Sequence, residues 1–185
     1  MKKVAVMLAT GYEEGESLFV VDIIRRGGFE CESVGLNDAQ VTGCHDITAL
    51  ADKVFDGSLD EYDMVVVPGG MPGASNLADD QRFVDALRTF GNTEGKLVAS
   101  ICAGPMSLDR AGLLAGRTFT CFPTRKDSIG KDGTWVDEVV VRDGNLITSQ
   151  GPGTTLHFAF ALVDALGGDG DKLRNAMLYT KALRA

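Results

Sequence analysis

The 185-residue sequence predicts an α/β sandwich built on a mainly parallel sheet. Short apolar runs alternate with amphipathic segments of helical period along the whole chain. Those runs are apolar without interruption, as strands buried on both faces of a parallel sheet are. They also end in turns that carry chemistry, at Thr10–Glu16, Pro68–Gly73 and Cys102, and ligands of such sheets sit at the carboxyl ends of the strands.

Lys3–Ala9 (KVAVMLA) is the first apolar strand. The turn Thr10-Gly11-Tyr12 leads to Glu13, Glu14 and Glu16, which open a helix through Phe19, Val20, Ile23 and Ile24. Arg25 and Arg26 occupy its last turn and Gly27-Gly28 stop it, an order of charges that suits the helix dipole. Glu30–Leu36 is the second strand, and Asn37–Leu59 reads as short strands or a hairpin around Asp46–Ala51. Tyr62–Val67 (YDMVVV) is the next buried strand and runs into Pro68-Gly69-Gly70-Met71-Pro72-Gly73. Asp80–Phe90 is an amphipathic helix with Phe83, Leu87 and Phe90 on one side.

Lys96–Pro105 (KLVASICAGP) is a short strand that turns at Cys102 into a helix begun by Ala103-Gly104-Pro105. Met106, Leu108 and the Ala111–Leu114 run continue that helix. Arg117–Cys121 is a further strand, reaching the turn Phe122-Pro123-Thr124. Trp135–Val141 and Asn145–Ser149 pair as a hairpin across Arg142-Asp143-Gly144. Gln150–Thr155 begins a helix that runs to Leu166, and Asp171–Leu183 is the last one. No linker, repeat or low-complexity stretch divides the chain, so residues 1–185 read as one domain around one core.

Composition excludes several classes of function. A net charge of −8 argues against nucleic acid as a partner, because phosphate binding needs clustered Lys and Arg. No apolar run approaches a membrane span, and Met1-Lys2-Lys3 leads straight into a strand rather than a signal sequence. Cys31, Cys44, Cys102 and Cys121 form no CxxC pair and show no ligand-like spacing with His45 or His157. Neither a zinc site nor a disulfide framework is therefore expected, and a reducing cytoplasm is the expected home. Neither glycine-rich loop matches GxGxxG or the Walker pattern, so no nucleotide, metal or other cofactor is predicted.

Cys102 is placed like a nucleophile. A strand that turns sharply into a helix lifts the turn residue above the sheet edge, and the helix start favours a thiolate over a thiol. Glu13 and Glu14 read as dipole partners or caps, but three acids together at Glu13, Glu14 and Glu16 exceed that need. A partly buried Glu16 beside the thiol would stay protonated, donate to sulfur and later shuttle protons. Gly70 N–H and Ala103 N–H would make a two-donor oxyanion hole. Cys31 reads as core. Cys44 and Cys121 are candidates for a second oxidisable thiol, and Thr148–Thr154 for the pocket floor. His157 lies on the helical face of Asp164 and reads as solvated.

The segments EEGES around Glu16, VVVPGG around Gly70, SICAGP around Cys102 and TSQGPGT from Thr148 resemble the ThiJ/PfpI superfamily. Within it they are similar to the branch of the parkinsonism-associated deglycase and bacterial YajL. The resemblance spans nearly the whole chain with the motifs in the same order. It implies a flavodoxin-like three-layer α/β/α sandwich, a homodimer, and a reactive cysteine at the elbow. Cys102 then matches the nucleophilic, oxidisable cysteine, Glu16 the protonated glutamate that depresses the thiol pKa, and Gly70 and Ala103 the backbone donors. The activity implied is that of a glutathione-independent glyoxalase or deglycase acting on small reactive aldehydes or on glycated thiols and amines. The alternative is a redox-responsive chaperone or stress sensor.

The sequence departs from the other branches in having Ala103, not histidine, after the cysteine, which leaves a peptidase without its base. Phe122 stands where the human-type relative has histidine, as in YajL, and His45 where it has arginine. Phe122, Pro123 and His45 are therefore candidate pocket residues, His45 equally a candidate for the dimer seam.

Overall fold

The computed structural model describes residues 1–184. Its first unit is strand β1 (Lys3–Leu8), helix α1 (Glu14–Arg26) and strand β2 (Glu30–Gly35). A small hairpin follows, β3 (Gln40–Thr42) with β4 (Thr48–Leu50), then β5 (Lys53–Val54) and β6 (Met64–Val67). Helices α2 (Gly73–Asp79) and α3 (Gln81–Gly91) lead to β7 (Leu97–Ile101) and α4 (Pro105–Arg110). The chain continues with β8 (Thr118–Phe119), β9 (Thr134–Trp135), β10 (Val140–Asp143) and β11 (Leu146–Ser149). It closes with α5 (Thr155–Ala165), α6 (Gly170–Ala176) and α7 (Tyr179–Ala182).

The central sheet has seven strands in the order β10-β11-β7-β6-β1-β2-β5. Every pair in it is parallel except β10 with β11. The two-residue periodicity of a strand sends successive side chains to opposite faces. In β1, Val4 and Val6 join one core with α1 and α5, including Ile23, Ile24, Phe158 and Phe160. Ala5 and Met7 join the other with α3 and α4, including Phe83, Leu87, Phe90 and Leu108. Each large side chain fully buried this way contributes about 1.5–3 kcal/mol of transfer free energy. The result is the three-layer, mainly parallel sandwich expected from the sequence.

Some elements differ from expectation, each for a local reason. Arg117–Cys121 forms ladder bonds only over Thr118–Phe119, because Thr120 N–H is taken by the Thr148 hydroxyl at 2.9 Å. Trp135–Val141 is not one strand: Thr134–Trp135 pairs with β8 in a sheet of its own, and β10 starts at Val140. Exposed Asp137 and Glu138 separate the two pieces, with Asp137 accepting from Gln150 Nε2 at 2.7 Å. The hairpin turn is tighter than predicted, since Asp143 already pairs with Leu146 and Gly144 supplies the positive φ of +56°.

The expected last helix is broken at Leu178, whose φ of +60° ends the helical ladder. The break turns Tyr179 back onto α5, its ring centroid 5.3 Å from that of Phe160. Helix α2 was concealed in the Gly/Pro-rich stretch, and it buries Ala74, Leu77 and Ala78. Among the described residues no helix is long and apolar enough to cross a membrane.

Candidate active site

The carboxyl ends of β1, β6 and β7 bring three loops together. At the end of β7, Cys102 has a φ of +63°, a left-handed conformation that costs a side-chain-bearing residue about 1–2 kcal/mol. Hydrogen bonds on both sides hold it there: Cys102 N–H donates to Ser149 O at 3.1 Å and Phe122 N–H to Cys102 O at 3.0 Å. Cys102 itself is half-buried. The strained elbow read from KLVASICAGP is present.

Glu16, on the first turn of α1, is completely buried. Its Oε2 accepts from Gly69 N–H at 2.8 Å. Gly69 is the point of closest approach: a Cβ there would stand 2.7 Å from both Cys102 Cβ and Glu16 Oε2, and 2.9 Å from Ala103 N. Only a glycine lets the β6 loop, the glutamate and the elbow meet at this spacing. Glu13 is the N-cap of α1, accepting from Glu16 N–H at 2.6 Å, which fixes the turn that carries Glu16.

Burial raises the Glu16 carboxyl to about 7, and the Gly69 N–H and the neighbouring Cys102 thiol only partly offset it. Burial also drives the Cys102 thiol up, and a charged Glu16 drives it further. The N–H groups of Ala103 and Gly70 point at the sulfur and pull in the opposite direction. The N–H at the helix start thus acts in the expected direction, and burial acts against it. A thiolate at Cys102 depends on Glu16 holding the proton, since that removes the opposing charge and leaves an O–H free to donate to sulfur.

A pocket of about 250 Å³ opens over Cys102. Glu13, Gly70 and Met71 line one side, and Phe122, Thr124, Arg125 and Pro152 the other. Two roomier hollows, of about 400 and 580 Å³, lie elsewhere and contain neither cysteine nor histidine.

Comparison with known proteins identifies the family. The DJ-1/PfpI family profile matches residues 2–165. The chain belongs to the DJ-1/PfpI family. It is 36% identical over 170 residues to protein dj-1beta of Drosophila melanogaster, covering 90% of each chain. It is 35% identical over 153 residues to a deglycase of Thermococcus kodakarensis, covering 82% of this chain and 91% of that one. The crystal structure of Drosophila DJ-1beta superposes with a TM-score of 0.91 at 35% identity, over 96% of this chain and 97% of that one. Toxoplasma gondii DJ-1, described as oxidized, superposes with a TM-score of 0.89 at 31% identity, over 96% and 98%. The flavodoxin-like architecture is that of these neighbours.

In this DJ-1/PfpI chain the fold brings Cys102, Ala103, Gly70, Glu16 and Phe122 together. Pro123 does not line the Cys102 pocket but an adjoining hollow with Gln150–Thr154. His45 is absent from the pocket wall, because Glu14 holds it: His45 Nδ1 lies 2.9 Å from Glu14 Oε2. Glu14, read as a dipole partner or cap, stands in the first turn of α1 and is a buried carboxylate. Burial pushes its carboxyl up, but bonds from the His45 ring and from backbone N–H groups of His45 and Ile47 prevail and hold it at about 2.

His157 is half-buried rather than solvated, with a ring nitrogen 2.6 Å from the Tyr179 hydroxyl. Cys31 and Cys121 are both buried, and burial pushes their thiols up to about 12 and about 11. Both are closed off from solvent, unlike the half-buried Cys44 and Cys102. Sequence reasoning missed Met71, Thr124 and Arg125. Arg125 follows the Phe122-Pro123-Thr124 turn directly, and a cation beside a proline turn at a strand end was the available signal.

Proposed function

We propose that the chain is a cysteine-dependent enzyme of the glyoxalase or deglycase type, acting on methylglyoxal-like 2-oxoaldehydes or their adducts. The observation that carries this reading is the contact between a strained, half-buried cysteine and a fully buried carboxyl raised to about 7. That pairing suits a reaction needing both a nucleophile and a proton carrier near neutral pH. The relation to a protein named as a deglycase supports it.

In this mechanism the Cys102 thiolate adds to the aldehyde carbon, and Glu16 gives its proton to the carbonyl oxygen, forming a hemithioacetal. The Glu16 carboxylate then removes the hydrogen from that carbon and returns a proton to the adjacent one, while the hydroxyl proton on the first carbon passes to the oxygen of the second, leaving a thioester of the hydroxy acid. Water cleaves the thioester, releasing lactate and restoring the thiol. The sum is one aldehyde plus one water giving one hydroxy acid, with no external oxidant. Gly70 and Ala103 N–H serve the sulfur at rest and are the proposed donors to the developing oxyanion. Arg125 supplies a cation for the product carboxylate.

A second reading, oxidation of Cys102 as a stress signal, is favoured by similarity to a DJ-1 described as oxidized. We place either activity in a reducing cytoplasm, consistent with free cysteines throughout the chain. A homodimer is proposed from exposed Leu18 and Phe19 on α1 and exposed Ile47 and Leu50 of the neighbouring hairpin. The deciding experiment follows methylglyoxal loss and lactate appearance in wild type and Cys102→Ser. Turnover that vanishes in the variant supports the enzyme. Absent turnover, together with peroxide-dependent sulfinate at Cys102, favours the sensor.

A further inference from the structure

We propose that Glu14, Cys44 and His45 form a binding site for a zinc-class divalent cation, separate from the Cys102 pocket. The spacing of these residues in sequence conceals them as a set, since Glu14 and Cys44 are separated by 30 positions. The fold assembles them: Glu14 Oε2, Cys44 Sγ and His45 Nδ1 all lie within 4.8 Å of one another. Individual separations are 2.9 Å from oxygen to nitrogen, 3.2 Å from sulfur to nitrogen and 3.6 Å from sulfur to oxygen. A tetrahedral zinc site with ordinary bond lengths spaces its donors by about 3.3–3.7 Å. Movements of a few tenths of an ångström at an exposed imidazole and a half-buried thiol bring the set to that geometry.

The donors are held by groups that do not take part in ligation. Glu14 Oε1 accepts from His45 N–H at 2.7 Å, which aims Oε2 at the sulfur and the ring. Cys44 N–H donates to Tyr12 O at 2.8 Å, and Gly43 N–H to Ile47 O at 2.9 Å, so the loop is pinned on both sides of the cysteine. Gly43 allows this approach: a Cβ there would lie 2.3 Å from Glu14 Oε1.

One thiolate, one imidazole and one carboxylate is a donor set for zinc rather than for calcium or magnesium, which take oxygen ligands. The Glu14 carboxyl is already charged. Binding forms the oxygen, nitrogen and sulfur bonds to the cation. It releases the Cys44 thiol proton and the proton shared between His45 Nδ1 and Glu14. The exposed side of His45 leaves a fourth position for water. A bound cation would clamp the β3–β4 hairpin to the first turn of α1, the turn that carries Glu16.

The test uses Cys102→Ser protein, so that the pocket thiol cannot contribute, titrated with Co²⁺ and then Zn²⁺. The proposal predicts one equivalent of Co²⁺ with a sulfur-to-metal charge-transfer band, displaced by Zn²⁺. Adding Cys44→Ser abolishes the band, and adding His45→Ala weakens binding at least about tenfold. Both positions are outside the cores, so circular dichroism and Tm confirm that these variants fold. A protein lacking the band, or a band undiminished by Cys44→Ser, would overturn the proposal.

Discussion

Glu16 has no exposed surface and keeps one oxygen on Gly69 N–H, so its charged form is the costly one. Its pKa of about 7 lies above the 4.5 of an unhindered carboxyl, so between these pH values the folded chain binds more protons than the unfolded chain. Stability therefore falls as pH rises through that window, by about 3 kcal/mol over its full width. Denaturant unfolding from pH 4.5 to 7.5 should show this slope, and Glu16→Gln should flatten it. A wild-type slope of zero, or one unchanged by Glu16→Gln, would remove Glu16 as the proton holder. Glu14 behaves oppositely, because its carboxyl is held at about 2 and its stabilisation disappears only as pH drops through that range. Acids two positions apart on one helix thus have opposite titration behaviour, set by what surrounds each.

The β7–α4 elbow stores its strain in one backbone angle, the +63° φ of Cys102. Glycine adopts that angle freely and alanine does not, so Cys102→Gly should be more stable than Cys102→Ala by about 1–2 kcal/mol. Equal Tm values for the two would mean that the turn is unstrained. At this scale the sequence was informative wherever the pattern was local. The apolar strands Lys3–Ala9 and Tyr62–Val67, helix Asp80–Phe90 and the KLVASICAGP elbow could each be read from their own residues. What failed was non-local. The ladder over Arg117–Cys121 ends because a distant Thr148 hydroxyl takes a backbone donor, and the last helix breaks where Tyr179 folds back onto α5. His45 was a candidate for the pocket or the dimer seam because it stands where a relative has arginine, and its partner Glu14, distant in sequence, looked like ordinary helix-start charge.

On the scale of the whole molecule, the parallel sheet places the ends of β1, β6 and β7 side by side, which is why Glu16, Gly70 and Cys102 meet. The same arrangement leaves Phe19 48% and Leu50 78% exposed, on α1 and on the hairpin that Glu14 ties to it. Such apolar surface on neighbouring elements is costly in water and suits an interface between copies. Sedimentation of the wild type should give a dimer, and Phe19→Lys with Leu50→Lys should shift it towards monomer with the fold intact. A wild-type monomer, or a dimer indifferent to both changes, would refute this interface.

The division of labour between Cys102 and Glu16 is tested most directly by the ratio of two rates in Glu16→Gln, thiol alkylation and lactate formation from methylglyoxal. Cys102 should be alkylated at least as fast as in wild type, since the amide still offers a donor to sulfur and can never carry the charge that opposes a thiolate. Lactate formation should fall at least about a hundredfold, since the proton carrier is gone. Undiminished lactate formation, or an equal fall in both rates, would contradict the account.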